Sequence, residues 1–337
     1  MFKHGKWLLL IGALTAVSLI VAACAPATPT EAPPPTEEAT EVPTEEVTEV
    51  PTEEPTPEPT EDPWAKLGTE EMPIIFSFVP SADASKVLAS ATAITDVLSE
   101  KTGLLITAEV PTSYVASIEA MCAGEAHIGA LNTFSYVVAK ARGCAEVALV
   151  SVRFGSTTYA GQIITRADSG ITSIADLAGK TFCRPDEFST SGWIIPSIAM
   201  RAEGINPDTD LTEVIDAGGH DGVVRAVYNG DCDAGATFVD ARTNVAEELP
   251  DVNDVVVVIA TSPPIPNDTV SFRPDFPADK REAIVNALLE MTQNEEELAL
   301  LQDLYSWAGL EQVDDTFFDP FRQVLQASGV NIEDFVK

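Results

Sequence analysis

The amino-acid sequence predicts an α/β protein of two lobes joined by a hinge. Two observations support this prediction: apolar runs of strand length alternate with segments of helical periodicity, and this alternating series occurs twice along the chain. Such alternation is typical of mostly parallel sheets covered by helices. The 337 residues, 45% of them hydrophobic, are enough for two lobes that each bury a core.

The first series begins at residue 74. In its first helical segment Val87, Ala91 and Ile94 recur at helical spacing, and Gly103 predicts the end of that helix. The strands of this series are predicted at residues 74–79, 104–110, 127–131 and 147–152, and the helices at residues 87–98, 114–121 and 134–141.

The second series begins at residue 162, and a helical C-terminal part follows it. Its strands are predicted at residues 162–165, 181–183, 213–215, 234–238 and 255–259, and its helices at residues 173–177, 194–201 and 223–228. A strand at residues 269–273 then leads to helical segments at residues 280–307 and 317–327.

Two chain crossings, near residues 160 and 262, are predicted to form the hinge. We therefore assign residues 72–160 and 262–337 to a first lobe and residues 161–261 to a second lobe. A ligand is expected in the crevice between the lobes, at the carboxyl ends of the strands.

The N-terminus has the features of an export signal. Lys3 and Lys6 precede an apolar run over residues 7–23, which ends in Val-Ala-Ala before Cys24. This pattern resembles a bacterial lipoprotein signal, so residues 1–24 are predicted to be a signal peptide and Cys24 to carry a lipid that anchors the chain to the membrane of the cell envelope. The alternatives are a plain cleaved signal peptide and an uncleaved membrane helix, which needs at least about 17 residues.

Residues 25–71 are predicted to form a disordered tether behind this anchor. Nearly every residue from 25 to 62 is Ala, Pro, Thr, Val or Glu, and this stretch carries twelve acidic and no basic side chains. Its charges repel one another and it has too few large apolar side chains to form a core. We therefore expect an extended spacer with a reach of up to about 120 Å.

The net charge limits the partners of the folded part. The chain carries −34 at pH 7, and removing the +2 of the signal and the −12 of the tether leaves −24 for residues 63–337. Nucleic acid is not expected as a partner, because its phosphates attract basic surfaces. An anion site on this chain has to be built locally, from hydrogen-bond donors and helix ends.

Apart from Cys24, the chain has four cysteines, for which three disulfide connectivities exist. We expect Cys122 to pair with Cys144 and Cys183 with Cys232, because a bridge between the lobes would obstruct hinge motion. The alternative is four reduced, buried cysteines. No CxxC motif or Cys/His cluster predicts a metal site.

Two turns between a strand and a helix carry candidate anion-binding side chains. Ser189, Thr190 and Ser191 stand where a helix is predicted to start, and the free N–H groups and positive dipole of a helix start favour an anion. The alternative for this run is ordinary helix capping by a single hydroxyl. His220 lies in the second turn, where it can donate a hydrogen bond to an oxyanion or carry a charge at acidic pH. The alternative for His220 is a structural or capping role.

Six segments of the sequence together carry a family resemblance. They are residues 113–115, 131–132, 179–182, 189–192, 219–221 and 264–268. In their order and spacing over nearly all of residues 74–330, they resemble the phosphate-, phosphite- and phosphonate-binding proteins of ABC importers. The resemblance implies the two-lobed type II periplasmic-binding-protein fold, with the ligand cleft between its lobes.

The same resemblance implies roles for individual residues. The phosphoryl group is expected to be bound by Ser189, Thr190, Ser191, His220, Tyr114 and Tyr159. In family members that take aminophosphonates, carboxylates face the amine, and Asp268 and Asp240 match those positions here. If both carboxylates reach the cleft, an amino-substituted phosphonate is the expected ligand.

The expected function is that of an extracytoplasmic solute-binding protein of an ABC importer. It would capture a phosphonate, phosphite or phosphate by hinged closure and deliver it to the permease and ATPase subunits, with no cofactor. A hydrolase built on Ser191, His220 and Asp240 is not expected, because the chain has no Gly-x-Ser-x-Gly elbow. The alternatives are the same fold with another solute (a pyrimidine, sulfonate or amino acid) and a receptor that presents its ligand to a membrane sensor.

Overall fold

The structure of the protein is a computed structural model that describes residues 63–335. The predicted signal peptide, the lipidation at Cys24 and residues 25–62 of the predicted tether therefore lie outside the described residues. No helix within residues 63–335 combines the length and the apolar character that crossing a bilayer requires.

The described residues form an α/β fold with two main sheets. The strands are β1 Ile74–Phe78, β2 Ile106–Glu109, β3 Ile128–Leu131, β4 Glu146–Val152, β5 Thr158–Tyr159, β6 Gly161–Arg166, β7 Thr181–Arg184, β8 Glu213–Asp216, β9 Ala234–Phe238, β10 Val256–Thr261, β11 Ile265–Pro266, β12 Thr269–Phe272 and β13 Gly309–Gln312. The α-helices are α1 Ala84–Thr102, α2 Tyr114–Ala123, α3 Thr133–Ala141, α4 Ile195–Ala202, α5 His220–Asn229, α6 Val252–Val255, α7 Ala278–Met291, α8 Glu295–Tyr305 and α9 Asp319–Ala327.

Each lobe is built around one mixed sheet. The first lobe contains a six-stranded sheet in the order β13-β4-β12-β3-β1-β2, and the second lobe a five-stranded sheet in the order β10-β6-β9-β7-β8. The prediction of mostly parallel sheets is wrong. In the first lobe β12 runs antiparallel to both β3 and β4, and β13 runs antiparallel to β4, because the chain returns from the second lobe before it adds these two strands. In the second lobe β6 runs antiparallel to its neighbours β9 and β10.

The two crossings between the sheets lie side by side and form the hinge. One crossing contains β5 and the other contains β11, and these short strands pair antiparallel, Tyr159 opposite Ile265. The buried amide of Asn267 links the crossings further, since its Nδ2 donates to the backbone carbonyl oxygens of Ser151 at 2.9 Å and Ser156 at 2.8 Å. The lobe limits at residues 160 and 262 stay a prediction.

The predicted tether is wrong at its C-terminal end. Residues 63–71 pack on the first lobe, where the side chain of Leu67 is only 1% exposed. The backbone N–H of Gly68 donates to the carbonyl of Met72, and the carbonyl of Gly68 accepts from the N–H of Leu105. These contacts give the segment an apolar anchor and backbone partners, so it belongs to the folded part.

Each lobe contains a disulfide bond. Cys122 pairs with Cys144 in the first lobe, with their Cα atoms 4.8 Å apart. Cys183 pairs with Cys232 in the second lobe, with their Cα atoms 5.9 Å apart and both side chains buried. Neither bridge joins the two lobes, so neither restricts motion at the hinge.

Candidate ligand-binding site

A cavity of about 340 Å³ lies between the lobes, and both lobes contribute side chains to its wall. It brings together seven of the eight ligand-binding residues that the resemblance implies, namely Tyr114, Tyr159, Ser189, Thr190, Ser191, His220 and Asp268. Their roles in binding stay predictions, but all seven side chains line the wall of the same cavity. The wall also contains residues that sequence reasoning did not place in the site, namely Arg153, Asn132, Phe238 and Tyr305.

The hydroxyl run opens a π-helical turn, Thr190–Ile194, that leads directly into α4. The helix therefore starts four residues earlier than the predicted start at residue 194. Ser189 is the N-cap, because its Oγ accepts the backbone N–H of Gly192 at 3.2 Å. The N–H groups of Thr190 and Ser191 belong to the first turn and so have no intrahelical acceptor. Single π-helical turns are often found at functional sites, and this one directs polar groups at the cavity.

Thr190 connects the two lobes through its hydroxyl. Its Oγ1 accepts the backbone N–H of Phe134 at 3.0 Å and the side-chain amide of Asn132 at 3.1 Å, and both donors belong to the first lobe. A hydroxyl has one proton of its own, which Thr190 can donate either to the neighbouring hydroxyl of Tyr159 or to a ligand. The hydroxyl of Tyr159 bonds to the side chains of Ser191 and Thr190, so three hydroxyl groups meet at one point of the wall.

His220 is a neutral hydrogen-bond donor in this structure. It is the first residue of α5, and its Nδ1 accepts the backbone N–H of Phe238 at 3.3 Å. Burial, with the nearby charge of Arg153, lowers the pKa of His220 to about 3. The proton of the neutral ring therefore lies on Nε2, away from Phe238. The alternative of a charged histidine at mildly acidic pH does not hold in this environment.

Backbone hydrogen bonds close the lobes against each other around the cavity. The N–H of His220 in the second lobe donates to the carbonyl oxygen of Ser81 in the first lobe at 2.9 Å. The N–H of Tyr114 at the start of α2 donates to the carboxylate of Asp186 at 3.1 Å. Since both bonds cross the cleft, the structure represents a closed arrangement of the lobes.

Arg153 supplies a buried positive charge that sequence reasoning missed. It follows β4 directly, is only 5% exposed, and its guanidinium carbon lies 4.6 Å from the ring centroid of Phe238 and 5.5 Å from that of Tyr159. Its Nε is buried and has no hydrogen-bond partner among residues 63–335. Ligands of such folds bind at the carboxyl ends of strands, and Arg153 stands at the end of a predicted strand, so that rule could have identified it.

Asp268 and Tyr305 complete the wall on the side of the first lobe. Burial raises the pKa of Asp268, and the charge of Arg153 acts in the opposite direction. Tyr305, at the end of α8, donates its hydroxyl proton to the carbonyl oxygen of Val79 at 2.6 Å. Burial raises the pKa of Tyr305 as well, so its phenol is neutral.

Asp240, whose place in the cleft the sequence leaves open, does not belong to the cavity wall. Its carboxylate accepts a hydrogen bond from Nη2 of Arg242 at 2.6 Å and one from Nε2 of Gln162 at 3.0 Å. The guanidinium of Arg242, two residues further along the chain, is the ion-pair partner of Asp240. The side chain is therefore fully used in a local ion pair.

Comparisons with known proteins point to one family. A model of the family described as "ABC transporter, phosphonate, periplasmic substrate-binding protein" matches residues 76–318. The chain is 31% identical to the phosphate-import protein PhnD of Mycolicibacterium smegmatis over 175 residues, which are 49% of this chain and 54% of that protein. It is 26% identical to the phosphonates-binding periplasmic protein of Escherichia coli over 232 residues, 67% of this chain and 68% of that one. The chain thus spans only about half the length of the mycobacterial relative.

The fold is also shared with a solved structure. The binding protein component of an ABC phosphonate transporter from Pseudomonas aeruginosa superposes with a TM-score of 0.71, at 21% identity, over 76% of this chain and 86% of that one. This likeness confirms the predicted two-lobed type II periplasmic-binding-protein fold.

Proposed function

Because the chain belongs to the periplasmic substrate-binding proteins of ABC phosphonate transporters, we propose that it captures a small phosphorus oxyanion, a phosphonate, phosphite or phosphate. It delivers this ligand to the permease and ATPase subunits of an importer. Cys24 anchors it to the membrane on the extracytoplasmic side. This family consists of transport receptors and not of enzymes, in agreement with the prediction from the sequence.

The observation that carries the proposal is the cluster of neutral donors in the cavity. The hydroxyls of Thr190, Ser191 and Tyr159 meet there, and His220 presents Nε2–H to the same cavity. A phosphoryl group offers several acceptor oxygens in a tetrahedral arrangement, so it can satisfy donors that approach from different directions. Neutral donors bind such a group without adding net positive charge to an acidic protein.

A protonated phosphoryl group also has a proton to give, which a sulfonate lacks. Asp268 lies on the wall and can accept that proton as a hydrogen bond while it is ionised. The same carboxylate would repel an anion that carries no proton. This combination supports a phosphorus ligand over a sulfur ligand of similar shape.

Closure of the lobes explains how the ligand is held. Thr190 accepts hydrogen bonds from the first lobe through the same hydroxyl that faces the cavity, so ligand binding and closure share one group. The paired crossings β5 and β11 supply the hinge for this motion. The two relatives are named for different ligands, phosphate and phosphonates. Which oxyanion this chain prefers is therefore determined by the side chains of its own cavity.

The proposed function is tested by calorimetric titration of the purified full-length chain. Phosphate, phosphite, methylphosphonate and 2-aminoethylphosphonate are titrated separately, with sulfate as the control anion. At least one phosphorus ligand is expected to bind with a Kd of about 1 μM or below, and sulfate at least about 100-fold more weakly. A folded sample that binds none of the four would contradict the proposal.

A matched pair of substitutions at His220 tests its role as a donor. In His220→Asn the amide oxygen can still accept the N–H of Phe238, but the donor at the Nε2 position is lost. In His220→Gln the amide can reach the Nε2 position and donate there. We expect affinity for the best ligand to fall about 10- to 100-fold in the asparagine variant and at most about fivefold in the glutamine variant.

Calorimetry on both His220 variants measures these effects, and thermal unfolding of each confirms that it is folded. Equal losses of affinity in the two variants would show that His220 supports the backbone at Phe238 and does not donate to the ligand.

A further inference from the structure

An aminophosphonate carries an ammonium group, and neither Asp240 nor Asp268, the two carboxylates matched to an amine, stands free of a neighbouring cation in this chain. Asp240 is bound to Arg242 outside the cavity. Asp268 does line the cavity and burial raises its pKa, but Arg153 lines the cavity too and its charge acts on the same carboxyl group in the opposite direction. An ammonium group that approached Asp268 would therefore meet the guanidinium of Arg153.

Arg153 forms no ion pair at contact distance among residues 63–335, although its charge acts on the nearby carboxyl group of Asp268. No carboxylate oxygen of residues 63–335 lies within 4.0 Å of its guanidinium nitrogens. A guanidinium stays protonated at any physiological pH. Burial of a charge without a partner is costly, so a group of this kind in a ligand cavity indicates that the ligand brings the partner.

The aromatic neighbours of Arg153 hold it in place without neutralising it. Its guanidinium lies near the ring faces of Phe238 and Tyr159, a cation–π arrangement that fixes the side chain and leaves its hydrogen-bond donors unused. His220 also packs against Phe238, with ring centroids 4.7 Å apart. The cation and the neutral histidine donor therefore stand on neighbouring parts of the same wall.

We infer that Arg153 binds the anionic ligand directly and makes the site select phosphorus oxyanions that lack an amino group, such as phosphate, phosphite or an alkylphosphonate. This inference rests on the proposed function and adds to it the class of ligand. It replaces the hypothesis of an amino-substituted phosphonate, which depended on both Asp268 and Asp240 reaching the cleft.

The test compares wild type with Arg153→Met, using methylphosphonate and 2-aminoethylphosphonate as titrants of the full-length chain. Wild type is expected to bind methylphosphonate at least about tenfold more tightly than the amino compound. In Arg153→Met, methylphosphonate affinity should fall about 100-fold, because a charge-assisted hydrogen bond is lost. The affinity for 2-aminoethylphosphonate should fall less, since Asp268 is then free to pair with its amine.

The thermal unfolding of the ligand-free variant separates this role from a structural one. Removal of an uncompensated buried charge should leave the Tm of ligand-free protein unchanged or raise it. Arg281→Met is the matched control, because Arg281 also lies over an aromatic ring, 5.2 Å from the centroid of Phe272, but does not line the cavity. The control should keep its affinity for methylphosphonate within about twofold of wild type.

Arg153→Lys is a second variant in case the methionine variant does not fold. It keeps the charge and should keep the preference for methylphosphonate over 2-aminoethylphosphonate. Binding should be about tenfold weaker, because lysine lacks the planar guanidinium with its paired N–H donors. A lysine variant that prefers the amino compound would overturn the inference.

Other outcomes separate the two claims. The role of Arg153 is overturned if wild type prefers 2-aminoethylphosphonate. It is also overturned if Arg153→Met loses the same affinity for both ligands, or loses none. In each of these cases the proposed function still stands. If wild type binds no phosphorus oxyanion at all, the proposed function fails and this inference fails with it.

Discussion

Substitution of Thr190 by valine is expected to weaken ligand binding about 100- to 1,000-fold. Valine has nearly the shape of threonine but cannot accept the hydrogen bonds that Oγ1 receives from Phe134 and Asn132 across the cleft. A buried donor left without an acceptor costs about 1–3 kcal/mol, and two donors lose their acceptor here. The ligand also loses a hydroxyl donor, which adds to the effect.

The penalty for Thr190→Val falls mainly on the closed form. When the lobes separate, the two donors on the first lobe can bond to water, so the open, ligand-free protein loses little. Its Tm should therefore change by no more than about 3 °C, whereas its affinity changes strongly.

Thr190→Ser is the matched control because it keeps the hydroxyl and removes only a methyl group. Its affinity for the best oxyanion should stay within about fivefold of wild type. Calorimetry of the two variants side by side measures the difference. If valine and serine at this position bind equally well, the hydroxyl does not join ligand binding to lobe closure.

Removal of the disulfide of the second lobe is expected to have the largest effect on stability. Cys183 and Cys232 are 49 residues apart in the chain, and the loop-entropy relation gives a bridge of that span a stabilisation of about 4 kcal/mol. Cys122 and Cys144 are 22 residues apart, for which the same relation gives about 3 kcal/mol. The double variant Cys183→Ala/Cys232→Ala should therefore lose more unfolding free energy than Cys122→Ala/Cys144→Ala.

Denaturant unfolding followed by circular dichroism measures both losses. The ligand-binding measurement is the control, because none of the four cysteines lines the cavity and the affinity of the folded variants should remain close to that of wild type. Equal stability of the second-lobe variant and wild type would show that the bridge contributes nothing to the folded state.

The order of the strands and helices could be predicted from the sequence because each element bears its own periodicity. Val87, Ala91 and Ile94 are buried on α1 as their spacing indicates, and Gly103 ends that helix in a left-handed conformation. The direction of β12 within the sheet could not be predicted in the same way. Which strands become neighbours depends on how the returning chain packs, and no local pattern encodes that choice.

Very short elements were also beyond prediction. The strands β5 and β11 have two residues each, too few to show any alternation of apolar and polar side chains. Thr190–Ile194 has a π-helical form that cannot be distinguished from an α-helix by its apolar spacing. The sequence therefore predicts the hinge from the boundary between the two series of strands and helices, and it gives no sign of the hinge strands β5 and β11.

The hydroxyl and histidine donors of the site and the carboxylate of Asp268 could be predicted, but the ion pair of Asp240 and the cation Arg153 could not. Ser189, Thr190, Ser191 and His220 stand at turns between a strand and a helix, which is a feature readable from sequence. The ion pair that removes Asp240 from the cleft involves Arg242, and its spacing of two residues gives no reliable indication of contact. Arg153 follows a strand of ordinary composition, and no local pattern distinguishes a buried arginine there from an exposed one.

The pairing of β5 with β11 has a mechanical consequence for recognition. Two chain connections that lie side by side and are joined by Asn267 resist twisting and sliding, because either motion would stretch one connection against the other. The lobes are left with essentially one degree of freedom, a rotation about an axis through this ribbon. Thr190 and His220 on one lobe therefore return to the same positions relative to Arg153 and Asp268 on the other each time the lobes meet. The accuracy of the site is then independent of how widely it opens.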